Sequence, residues 1–374
     1  MEKDGRSTGF YAPELDGLRW FAVAGVMITH FSWTWKNLAN WGTPGVRLFF
    51  VLSGFLITLL LLRARAKIEA GCDTAKAALL RFWIRRVFRL WPLYFASLGI
   101  SYALHVDGTE SSFAWHATFA TNIYVFAHQR WPGLLSHYWT LAVEQQFYFL
   151  WPVVVLGCSH GALRIVLVLM AIAGPFSRWL PLFLGTVRPE YDVLLFGCLD
   201  FFACGAAVAL LVDSGLIQSL VSKTVLIAGM IFTAFWLAFG SWLWRHGHGI
   251  YPTYYIVYDG SIQAMGFALL VVYVIRHPTE LLPTCLRWRP FVFLGKISYG
   301  IYILHNLSHR IGPSLTRQVT GKNYLDHEFA NVLGYVTLSI GAATITYFCF
   351  EEPLRRLGQR LTRPTTNPRP LVQP

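Results

Sequence analysis

Ten stretches of about twenty apolar residues recur along the chain of 374 residues, near 15–35, 44–62, 82–104, 138–157, 162–182, 192–212, 221–241, 254–275, 291–311 and 328–350. Each is long enough to cross roughly 30 Å of hydrocarbon. Inside lipid every backbone polar group must be satisfied within its own segment, so such stretches fold as helices. The expectation is therefore an all-α, polytopic integral membrane protein of about ten transmembrane helices. With 55% apolar and 13% charged residues, the composition excludes an ordinary soluble domain.

The formal charge of +12 would suggest a nucleic-acid partner if the basic residues formed a free patch. They instead border the apolar runs, as they do where cations set membrane orientation. No nucleic-acid partner is expected. Arg63, Arg65, Lys67, Lys76, Arg81, Arg85, Arg86 and Arg89 cluster between the second and third spans. Arg276, Arg287 and Arg289 lie between the eighth and ninth, and Arg355, Arg356, Arg360 and Arg363 follow the last. Lys36, Arg130, Arg188 and Arg245 are scattered on the opposite side. The positive-inside rule places both termini in the cytoplasm. Pro175, Pro181 and Pro189 make the fifth to seventh spans the least regular. The first apolar stretch is too long for a signal h-region, so no cleavable leader is expected.

The six cysteines (72, 158, 198, 204, 285 and 349) lack metal-ligand spacing and read as free thiols. No metal site is expected, because the histidines of loop 105–137 have no ligand spacing and the His246/His248 pair lacks a nearby third ligand. That loop reads as a polar lid over the span ends. Residues 353–374 read as a basic, proline-rich cytoplasmic tail.

Against this apolar background a few polar residues stand out. Asp16 and Arg19 sit at the start of the first span and His30 lies eleven positions after Arg19. At 3.6 residues per turn Arg19 and His30 share one helix face, about 16 Å apart. Polar groups persist in lipid mainly when they face the protein interior or a water-filled cavity. In RFWIRRVFRLWPLY, Arg86 and Arg89 are three apart and co-facial. Positive-inside anchoring explains some of these cations. Four arginines and a Trp-Pro within twelve residues suit a phosphate ligand as well, because guanidinium forks grip phosphate oxygens at two points. The fourth span, HYWTLAVEQQFYFLWP, carries Glu144, with Trp139 and Tyr148 beside it. The ninth carries Lys296, Ser298, Tyr302 and His305.

Counting rise per residue sets His30 and His305 roughly 22 and 21 Å from the inner face, and Glu144 about 20 Å. Three titratable groups from three spans thus meet at one level, as general acid–base chemistry requires. Glu144 beside His30 would orient the ring and raise its basicity, and His30 would take the proton from an attacking hydroxyl. The expected route is a continuous polar tunnel from Arg86 and Arg89, past Arg19, to His30, Glu144 and His305.

LDGLRWFAVAGVMITH resembles the opening of the membrane-bound acyltransferase family 3, whose first span carries Arg, ten residues, then His, here Arg19 and His30. FFVLSGFLIT, RVFRLWPLY and HYWTLAVEQQFYFLWP resemble its following signatures in order, with Thr140 in place of the usual Ser. The resemblance implies a membrane acyltransferase domain over 1–352. It implies transfer of an acyl group, commonly acetyl, from acyl-CoA as co-substrate to a hydroxyl of a glycan, lipid-linked saccharide or macrolide. No permanently bound cofactor is implied. The family assigns catalysis to the histidine, here His30, for which the residue reading adds Glu144. It assigns CoA handling to the arginines, here Arg19, Arg86 and Arg89, with Lys296 at the same side. Asp16, Trp139, Tyr148, Ser298, Tyr302 and His305 are the expected supporting or acceptor-binding residues. The implied setting is the bacterial cytoplasmic (inner) membrane, with lipids around the bundle. Without the SGNH-type domain that some members append, transfer is expected to finish within the membrane domain or pass to a partner protein. Intramembrane Glu, His and Arg would also suit a proton-coupled transporter or flippase, although no inverted repeat is visible.

Overall fold

The computed structural model describes residues 11–32, 34, 41–184, 192–218, 222–246, 253–308 and 328–363. Lys36, Arg188, Pro189, His248 and the tail beyond 363 lie outside the described residues. Helix α1 (Pro13–Phe31) starts with Pro13 in its first turn, where a fixed φ and a missing N–H cost nothing. Glu14 and Asp16 in the same turn complement the helix dipole. The helix stops at Ser32, whose backbone is extended. Helices α2 (Gly42–Glu69) and α3 (Ala75–Ala103) follow, the latter capped by Thr74, whose hydroxyl accepts from the Ala77 amide at 3.2 Å. Two short helices, α4 (Thr109–Ala117) and α5 (Thr121–His128), precede α6 (Tyr138–Gly157) and α7 (His160–Phe183). Next come α8 (Leu199–Asp213), α9 (Lys223–His246) and α10 (Thr253–Arg276). After these stand α11 (Leu281–Leu286), α12 (Arg289–Lys296), α13 (298–308), α14 (Glu328–Thr346), a π turn Tyr347–Glu351 and α15 (Glu352–Leu361).

Among the described residues six helical segments are long and apolar enough to cross a membrane: Gly42–Glu69, His160–Pro181, Leu195–Asp213, Lys223–Leu243, Val257–Arg276 and Phe329–Leu361. The described residues thus form an all-helical fold with six candidate membrane spans, and the expected count of about ten is not reached. The four expected spans that fall short are the first, third, fourth and ninth. Three are long helices diluted by polar residues: Glu14, Asp16 and Arg19 in α1, four arginines in α3, and Thr140, Glu144, Gln145 and Gln146 in α6. The ninth is broken at Ile297 into α12 and α13. These four carry every candidate site residue.

Helix α2 is the most enclosed of the six apolar segments and forms the axis of the bundle. It packs on α8 through Gly54 and Gly205; a Cβ at Gly205 would run into the Val51 carbonyl, and one at Gly54 into that of Phe202. Small residues let two backbones close up where lipid offers no hydrophobic drive. Phe147 of α6 then stacks on Phe202 at 4.0 Å, and Phe202 meets Phe50 of α2 at 5.0 Å. An ion network ties these helices to α7 and α10. Arg178 donates to Asp200 at 2.6 Å, Ser261 donates to the same carboxylate at 2.7 Å, and Arg47 pairs with Asp259. Breaking such a buried pair by removing one partner costs about 3–5 kcal/mol. All six cysteines are free thiols.

The lid between α3 and α6 is more structured than a polar loop. His116 is fully buried between α4 and α5. Ser112 gives its proton to the Gly108 carbonyl at 2.5 Å, so it accepts from His116 Nε2 at 2.9 Å, and Thr121 donates to Nδ1 at 2.8 Å. A neutral ring satisfies both bonds, and burial pushes the imidazole down to about 4. The unfolded chain therefore binds the proton first, so this histidine favours the fold above its ordinary value of 6.5 and loses that contribution as pH falls towards 4. Thermal unfolding of the purified protein should show a pH-dependent loss of about 3 kcal/mol over that window, flattened in His116→Gln.

Candidate active site

Where α2, α3 and α6 meet α1 and α13, a narrow cavity of about 80 Å³ opens in the bundle. Its lining includes Arg19, Arg86, Arg89, Ser53, Thr140, Glu144, Tyr148, Ser298 and Tyr302. Ser53 Oγ donates to Glu144 Oε1 at 2.6 Å and lies 3.2 Å from the Tyr148 hydroxyl. Arg86 lies between the rings of Phe82 and Tyr148, at 5.4 and 5.3 Å, so its charge is held by π faces rather than by a salt bridge. The Tyr299 hydroxyl donates to the Leu90 carbonyl at 2.6 Å, locking α13 against α3.

Arg19, Arg86, Arg89 and Tyr299 also line a much larger groove of about 1420 Å³ at the end of the bundle where α1 and α3 begin. Arg63, Lys67, Arg81, Arg85 and Lys296 line it too. Asp16 accepts from Arg19 at 3.4 Å and from Tyr11 at 3.2 Å, while Lys296 sits 5.5 Å over the Tyr11 ring. At this basic end α12 reaches α1 through Gly295, where any Cβ would strike the Asp16 carbonyl. The ninth span breaks two residues later, at Ile297, and Ser298, the first residue of α13, lies on the cavity wall.

The other end of the cavity is closed by a hydroxyl pair. Thr140 Oγ1 and the Tyr302 hydroxyl are 2.7 Å apart, and Thr140 donates to the His137 carbonyl at 3.0 Å. Behind Tyr302 three imidazoles pack together. The His305 ring centre is 5.0 Å from that of His30, 4.8 Å from that of His137 and 5.7 Å from that of Tyr302. His305 and His137 are buried.

Three expectations change here. His30 is exposed rather than buried, because α1 ends one residue later and leaves it in the last turn. The hydrogen bond on Glu144 comes from Ser53, two turns deeper than the histidine layer, so Glu144 does not orient His30. The cavity stops at Thr140 and Tyr302, and neither His30 nor His305 lines it, so the tunnel is not continuous. Trp139 packs between Phe50 and Trp131 at 6.2 and 6.5 Å and is not on the cavity wall. Tyr148, Ser298 and Tyr302 line the cavity, whereas Asp16 and Lys296 line the groove. Sequence reasoning missed Ser53, His137 and Asn306. Only Ser53 carried a signal, a hydroxyl in the middle of the apolar run FFVLSGFLIT.

The family profile described as an acyltransferase domain, acyltransferase family 3, matches residues 13–351. The chain belongs to this family. It is 29% identical over 381 residues to the O-acetyltransferase OatA of Staphylococcus aureus, covering 93% of this chain and 58% of that protein. It is 29% identical over 391 residues to the peptidoglycan O-acetyltransferase OatA of Listeria monocytogenes, covering 96% and 58%. It is 28% identical over 388 residues to YrhL of Bacillus subtilis, covering 94% and 56%. The chain thus spans less than three-fifths of the length of these relatives. No solved structure matches it.

Ser53→Ala would remove the 2.6 Å hydroxyl bond to Glu144 beside the arginines. The loss should lower stability by about 1–3 kcal/mol, read as a lower unfolding temperature of the purified protein, while Ser53→Thr should retain the bond and most of the stability.

Proposed function

We propose that the chain is a membrane O-acyltransferase that moves an acyl group, in the simplest case acetyl, from acyl-CoA to a hydroxyl of a glycan. The observation that carries the reading is the shared wall of the basic groove and the inner cavity, Arg19, Arg86 and Arg89, which leads from solvent to Glu144. A nucleotide-bearing thioester is a polyanion with a long neutral arm. Its phosphates suit guanidinium forks at the groove, and its thin arm suits the narrow cavity that shares those arginines. The thioester would then stop at Thr140 and Tyr302, one ring away from the histidine layer.

In this reading His30 is the general base. Its exposure at the end of α1 suits a group that meets an acceptor arriving from the other side of the membrane. Once the Thr140–Tyr302 pair parts to admit the thioester to the histidine layer, the acceptor hydroxyl gives its proton to His30 while its oxygen attacks the acyl carbon, and the thiolate leaves towards the arginines. With the basic end in the cytoplasm of a bacterial cell, acyl-CoA is supplied from inside and the glycan from outside. The name of the Listeria relative makes peptidoglycan the first acceptor to test. No observation favours a transporter over this reading.

The test uses the full chain in proteoliposomes with labelled acetyl-CoA and peptidoglycan fragments. His30→Ala should lower transfer by about 10²–10⁴-fold at matched protein levels. Arg86→Ala and Arg89→Ala should weaken CoA binding roughly tenfold, with lysine restoring only part of it because a point charge lacks the two-point fork. Undiminished transfer in His30→Ala, or unchanged CoA affinity in both arginine variants, would contradict the assignment.

A further inference from the structure

The hydrogen bonds around the two buried histidines fix opposite tautomers. The Leu134 carbonyl can only accept, and Asn306 Nδ2 donates to it at 2.8 Å, which sets the orientation of the amide. The second N–H of the same group meets His137 Nδ1 at 2.9 Å. His137 Nδ1 therefore accepts, and the neutral ring carries its proton on Nε2. His305 Nδ1 lies 2.7 Å from the Tyr302 carbonyl and donates there, which leaves its Nε2 a bare lone pair. Both Nε2 atoms are buried and have no hydrogen-bond partner among the described residues, and the two rings stand 4.8 Å apart. One imidazole holds an unspent N–H and its neighbour an unspent acceptor. Among the described residues no group of three His, Cys, Asp or Glu side chains is placed to hold a metal ion, so the cluster is not a ligand set.

We propose that Asn306 and His137 are positioning residues for acyl transfer: the amide locks the His137 ring, that ring packs edge-on against His305, and His305 is thereby held neutral and immobile against His30. The inference rests on the transfer reaction proposed above. It supplies what Glu144 does not, a fixed neighbour for the base. His305 meets His30 at 71° and 5.0 Å, an edge-to-face contact. A neutral ring in that place favours the imidazolium that forms when His30 takes the acceptor's proton, whereas a charged one would oppose it. The hydroxyl proton goes to His30 as the new ester bond forms and the thioester bond breaks, and His137 and His305 gain or lose none.

Nitrogen-15 NMR of histidine-labelled full chain in detergent, without substrate, tests the tautomers directly, with His137→Gln and His305→Gln used for assignment. The expected result is His137 protonated on Nε2 and His305 on Nδ1; the reverse pattern at either ring overturns the proposal. Kinetics supplies the second arm, with acetyl-CoA and peptidoglycan fragments as substrates. His137→Gln keeps an amide N–H in place of Nε2–H and should stay within about threefold of wild-type kcat, whereas His137→Phe should lose roughly 10–10²-fold with KM for acetyl-CoA unchanged. Equal rates for the two variants would mean that packing alone matters, and a dead Gln variant would mean that His137 must itself carry a proton. Either contradicts the positioning role. Because the tautomers are read without turnover, failure of this proposal is separable from failure of the transfer reaction.

Discussion

A carboxylate within a lipid-facing helix bundle is tolerable only if other groups hold it, and the bond from Ser53 to Glu144 is where this bundle meets that demand. The bond joins α2 to α6, and the surrounding structure serves to keep those two helices in register. Gly54, one residue after Ser53, lets α8 press against α2, and Phe202 of α8 in turn stacks on Phe147 of α6. Arg19 and Arg86 approach from α1 and α3, close enough to act on the charge of Glu144 without contacting it. The cavity is the space left between them.

A second polar network lies away from the site, and its balance of charge is different. Arg178 with Asp200 and Arg47 with Asp259 are matched pairs on α7, α8, α2 and α10, closed further by Ser261, Trp236 and Gln263. Paired and satisfied charges hold helices together and leave little for a ligand. Arg86, by contrast, rests on aromatic faces, which leaves its N–H groups for an anion. The contrast separates a frame from a site without reference to any relative.

The helical class and the positions of Arg19, Arg86, Arg89 and Glu144 around one cavity were legible in the sequence, because charges inside apolar runs are costly and therefore conspicuous. The relation of Glu144 to His30 was not. Depth counted along separate helices ignores where each helix ends and how it is rotated: α1 stops beside His30, and α6 turns Glu144 towards α2. His137 read as one of several loop histidines because its role depends on Asn306, 169 positions away. The ion pairs of Arg47 and Arg178 were equally silent, since their partners Asp259 and Asp200 are 212 and 22 positions distant. The break at Ile297 was hidden too: Gly295, two residues before it, packs against Asp16 of α1, a contact between positions far apart in the chain.

The central claim is that the basic groove and the inner cavity form one donor path ending at Thr140 and Tyr302. A structure of the full chain bound to a thioether analogue of acetyl-CoA tests it most directly. The account predicts phosphates among Arg86, Arg89 and the groove cations, with the analogue's sulfur beside the Thr140–Tyr302 hydroxyl pair. Density for the analogue elsewhere, or a sulfur that reaches no deeper than the groove, would contradict it.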